Sequence, residues 1–82
     1  MDANALAFFR QILETPSPSG YESRLQQVVR QHVGPFADRV DSDVHGNVMV
    51  VRNPEAPFRV MLAGYGDQIG FIVQHIDNEG FL

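Results

Sequence analysis

A chain of 82 residues has room for one small domain, and at that size folding buries only about 60% of the unfolded surface, which leaves little margin for a complete enzyme. The hydrophobic content of 44% suits a globular protein, yet no apolar run approaches the roughly 20 residues that span a bilayer, which argues against membrane insertion. Six arginines, no lysine and ten acidic residues give a net charge of -4 without a basic run that could track a phosphate backbone, which argues against nucleic acid as a partner.

From Ala3 to about Glu14, Leu6, Phe9 and Leu13 recur at spacings of three and four, widened by Ala5, Phe8 and Ile12. This predicts an amphipathic helix that Asp2 or Asn4 can cap. The start Met1-Asp2-Ala3-Asn4 has neither the positive nor the apolar region of a signal peptide, and a cytoplasmic protein is expected. Thr15-Pro16-Ser17-Pro18-Ser19-Gly20 stops the helix, because each proline lacks a donor and biases the residue before it away from helical angles. Ser19 and Glu22 match a capping box, in which the hydroxyl accepts the Glu22 amide while the carboxylate reaches back to the Ser19 amide. A second helix is expected from there, with Leu25, Val28, Val29 and Val33 as its buried stripe. Arg24, Gln26, Gln27, Arg30 and Gln31 form its wet face and Gly34-Pro35 its end.

Arg39 to Val44 alternates weakly and reads as an exposed edge strand broken at His45-Gly46-Asn47. Val48 to Arg52 is a stronger strand, and Asn53-Pro54-Glu55-Ala56-Pro57 returns the chain into Phe58 to Ala63. A hairpin between 48–52 and 58–63 is therefore expected. Ile69 to Ile76 predicts another strand, turned by Asp77-Asn78-Glu79-Gly80 toward Phe81-Leu82. Two large apolar residues just beyond a turn read as the start of a further strand, and hence as a truncated piece of a larger domain.

The stretch from Val60 to Val73 organises the rest: two apolar runs joined by a glycine-flanked break that carries Tyr65 and Asp67. Loops at the ends of buried strands are where open α/β sheets place their chemistry, so these two residues are the first candidates. The absence of cysteine removes disulfides, thiolate metal sites and cysteine nucleophiles.

Four patches in order carry a family resemblance: Pro18-Ser19-Gly20-Tyr21-Glu22, Asp43-Val44-His45-Gly46-Asn47, Val60-Met61-Leu62-Ala63, and Asp67-Gln68-Ile69-Gly70-Phe71-Ile72-Val73 running on to Gly80-Phe81-Leu82. Together they resemble the N-terminal segment of the glutamyl and deblocking aminopeptidases, the family of the tetrahedral TET enzymes and of proteins once labelled cellulase M. In that family the central strand ends in His-x-Asp, where the histidine binds one of two metal ions and the aspartate holds the site's geometry. The resemblance places Asp67 at that aspartate and Tyr65 at the histidine. A phenol with an ordinary pKa near 10 must lose its proton to bind zinc well, whereas neutral imidazole binds as it stands. The resemblance further implies that the remaining ligands, a general-base glutamate and an inserted dimerisation domain lie beyond Leu82.

Each candidate also has a plainer reading. Asp67 can serve as a turn aspartate bonded to backbone amides. Tyr65 can pack its ring with the hydroxyl hydrogen-bonded, instead of acting as a proton donor or phenolate ligand. His32, His45 and His75 lack the close spacing of a metal-binding pair, and Asp41 with Asp43 or Asp77 with Glu79 completes no calcium loop. Gly64, Gly66 and Gly70 lack the lysine and Ser/Thr of a phosphate loop.

The expectation is an α/β fold, with two N-terminal helices packed on a mixed, largely antiparallel sheet of three to five strands. Residues 1–82 would form the N-terminal, incomplete portion of a metallo-aminopeptidase catalytic domain. The resemblance implies hydrolysis of N-terminal residues from peptide substrates with two divalent ions, zinc or cobalt, in a homo-oligomer. This chain alone should be inactive and hold no metal tightly. The alternative is a non-catalytic paralogue or remnant acting as a structural, oligomerising or strand-accepting module.

Overall fold

The computed structural model describes residues 2–82, as two helices packed with a two-stranded antiparallel sheet. The first helix, α1 (Ala3–Glu14), begins where the Asp2 carboxylate accepts the Ala5 amide at 2.7 Å, satisfying one of the first-turn donors that a helix leaves open. It ends at Thr15, whose amide donates to Ile12 O and whose hydroxyl donates to Gln11 O at 2.7 Å, just before Pro16 removes the next donor. The predicted stripe faces a different way from the one expected. Leu6, Phe9 and Leu13 are about half exposed, while Phe8 and Ile12, stacked one above the other at a spacing of four, turn inward. The reason is an aromatic contact: the Phe8 ring lies on His32 with centroids 3.7 Å apart and planes 4° from parallel, and Phe36 meets the same imidazole edge-on.

The second helix, α2 (Ser23–Val33), buries Leu25 and half-buries Val28, Val29 and Val33, as the spacing predicts. Its start differs from the capping-box expectation. Glu22 accepts the Gly20 amide at 2.8 Å, and the Ser19 hydroxyl leaves the helix altogether to reach Asp67. The cause is a tight turn between Pro18 and Tyr21 with Gly20 at φ 86°, a conformation open to glycine at little cost. At its other end α2 runs into a 3-10 turn, Gly34–Phe36, that lets Pro35 follow without breaking a bond.

The sheet pairs β1 (Arg39–Ser42) with β2 (Val48–Val51), with Arg39 opposite Val51 and Ser42 opposite Val48. This corrects the expected hairpin between 48–52 and 58–63, because β2 pairs backward along the chain. Two features decide it. Asp43 closes the five-residue loop, accepting the His45 and Asn47 amides and the Asn47 side chain at 2.8–3.0 Å. Asn53, at φ 55°, donates its amide to Asp38 Oδ2 and so ties the exit of β2 to the start of β1. The expected strands 58–63 and 69–76 form no ladder among the described residues, so the sheet has two strands instead of three to five. Helix α2 holds the hairpin from one side, Arg30 donating to Ser42 Oγ and Gln26 to Gly46 O at 3.0 Å.

The interior is minimal. Leu25, 2% exposed, is the one buried apolar side chain among the described residues. The Cα radius of gyration is 16.6 Å, against about 12 Å for a compact chain of this length. The excess comes from residues beyond the sheet, where Phe58, Leu62, Ile69 and Phe71 are fully or nearly fully exposed. No helix among the described residues is long and apolar enough to cross a membrane.

Two expectations follow from these contacts. Leu25→Ala should lower unfolding stability by about 2–5 kcal/mol, the range for emptying a buried leucine site, as read by urea denaturation followed by circular dichroism. The Asn47 side chain, then the Asn47 backbone amide and the His45 amide and charge, hold the Asp43 carboxyl below its ordinary value of 3.8. Its contribution to the hairpin is therefore present above about pH 4 and is lost as pH falls through the lowered value. NMR should show the His45 and Asn47 amide resonances shifting in that acid window, and Asp43→Ala should abolish the titration.

Candidate functional site

A long-range seam joins the Pro16–Ser19 loop to residues 66–68. Prolines on either side of Ser17 keep the loop extended and remove its own donors, so its carbonyls and hydroxyls are left to bond elsewhere. Ser17, 1% exposed, donates from Oγ to Gly66 O at 3.1 Å, and its carbonyl accepts the Gln68 amide at 2.8 Å. The result is a single parallel bridge between Pro18 and Gln68. Beneath it, Gly66 leaves no room for a side chain: a Cβ there would stand 2.6 Å from Leu25 Cδ2.

This seam carries Asp67 to the end of the loop, where Oδ2 accepts a hydrogen bond from the Ser19 hydroxyl. The carboxylate is half-buried and fixed across 48 residues of sequence. Its other oxygen, Oδ1, has no hydrogen bond among the described residues. A carboxylate clamped on one oxygen and open on the other can orient a neighbouring donor such as an imidazole or a bound water. Tyr65, two residues earlier, is 90% exposed, and its hydroxyl makes no hydrogen bond among the described residues. The structure therefore gives Asp67 a defined partner and leaves Tyr65 in solvent.

The other candidates have local work. His32 is held between Phe8 and Phe36, Asp41 pairs with Arg39 at 2.8 Å on the surface, and Asp43 closes the β1–β2 loop. Asp77 accepts the Glu79 and Phe81 amides at 2.9 Å, closing a second loop of the same kind. Among the described residues no three His, Asp or Glu side chains are grouped to hold a metal ion. The donors present here do not make up the set that a pair of divalent ions requires, since a catalytic zinc alone takes three protein ligands.

Ser17 and Ser19 are the site residues that the sequence pattern did not single out. The signal was there in part, as two serines alternating with prolines opposite a glycine-flanked aspartate, but the capping-box spacing gave Ser19 a competing local role.

Comparison with known proteins gives one consistent answer. Residues 46–82 match the M42 glutamyl aminopeptidase family. Over 74 residues, 89% of this chain, the sequence is 39% identical to a lysyl aminopeptidase of Pyrococcus furiosus, of which it covers 21%. It is 27% identical over 77 residues to the putative aminopeptidase FrvX of Escherichia coli, and 30% identical over 64 residues to a putative aminopeptidase of Acetivibrio thermocellus. The chain thus spans about a fifth of the length of these relatives. No solved structure matches.

The seam is open to a direct check. Gly66→Ala should cost about 1–3 kcal/mol, because the added methyl must push a buried leucine aside. Gly64→Ala, with nothing within 4 Å and no positive φ, should be near neutral, and thermal unfolding of the two variants compares them.

Proposed function

Since this chain belongs to the M42 glutamyl aminopeptidase family, we propose that its residues serve a metal-dependent aminopeptidase that releases N-terminal residues from peptides. Water adds to the first peptide carbonyl, the C–N bond breaks, and the departing amine takes up a proton, leaving a free amino acid and a shortened peptide. The observation that carries this reading is the 39% identity to the lysyl aminopeptidase across nearly the whole chain. The seam at Asp67 supports it, because the residue that resembles the family's orienting aspartate is the one held at its loop by a distant hydroxyl.

In this reading Asp67 fixes the direction of a neighbouring ligand and Ser19 fixes Asp67. Ser17 and Gly66 keep the loop against residues 66–68 so that both stay in place. Two divalent ions, zinc or cobalt, would supply the activated water and steady the charge on the carbonyl oxygen. Residues 2–82 do not themselves hold that pair, so the 82-residue chain is inactive alone. Tyr65, at the position of the family's histidine, weakens one metal position in the complete protein. That protein is a cytoplasmic homo-oligomer acting on peptide substrates.

A second reading, a non-catalytic paralogue that keeps the fold, is favoured by one observation: the tyrosine at the histidine position is exposed and free of partners among the described residues.

Activity and metal content decide between the two. With zinc or cobalt added, the 82-residue chain should not cleave lysyl or glutamyl chromogenic amides; turnover by pure chain would overturn the assignment of the missing ligands to other residues. The longest product of the gene should bind metal and turn over, which would end the paralogue reading, and metal-free, inactive product would end the peptidase one. In that product Ser19→Ala should weaken metal binding by about 10–100-fold, as loss of a ligand-orienting contact does, measured by metal titration. Tyr65→His should strengthen it.

A further inference from the structure

We draw no further inference here: the strongest candidate, the open cleft between the polar face of α2 and the β1–β2 loop lined by Gln26, Arg30 and His45, carries nothing, because Gln26 and Arg30 already bond Gly46 and Ser42 across it and nothing in the structure shows what covers it in a chain that spans about a fifth of its relatives.

Discussion

The contact between Ser17 and the Gly66–Gln68 backbone is what the rest of this chain depends on. Among the described residues this seam is where the first quarter of the sequence meets the last third. It needs three things at once: prolines that strip the loop of its own donors, a serine whose hydroxyl and carbonyl both find partners, and a glycine narrow enough to lie on Leu25. A buried hydroxyl without an acceptor would cost about 1–3 kcal/mol, so the near-complete burial of Ser17 is tolerable only because Gly66 O is there. Leu25, the sole buried apolar side chain among the described residues, is covered by that same glycine.

The seam also sets what the candidate site can do. Asp67 would be an ordinary exposed carboxylate without it; with it, one oxygen is fixed by Ser19 and the other is presented outward. The energy of that arrangement is modest, and its value lies in direction, since an orienting carboxylate works by holding a neighbour's angle. Tyr65 lies two residues from Asp67 but shares none of its bonding, which is why the two candidates, read together from their spacing, separate in the structure.

Two loops show how one local rule can have different consequences. Asp43-Val44-His45-Gly46-Asn47 and Asp77-Asn78-Glu79-Gly80-Phe81 share an aspartate that accepts the amides two and four residues on, and a glycine at φ 85° or 87°. The first closes a ladder because Val48–Val51 follows it with four residues that can pair with Arg39–Ser42. Beside the second, residues 69–76 form no ladder among the described residues. The turn chemistry is local; whether it becomes a hairpin depends on what is available to pair.

Local spacing by itself determined α1 almost to the residue, the buried stripe and end of α2, the Asp2 cap, the stop at the proline cluster, the turn at 77–80 and the α/β character, because each rests on interactions within about four positions. It also carried the resemblance to the M42 aminopeptidases, through four short patches whose residue identities are independent of how they pack. Tertiary structure decided the rest. It rotated α1 so that Phe8, and not Phe9, meets α2, through a ring stacked on His32. It took Ser19 from the helix cap to Asp67 and gave β2 the partner behind it. In each of these the sequence offered two satisfactory local bonds, and the choice fell to a contact between residues far apart in the chain, which no periodicity can record.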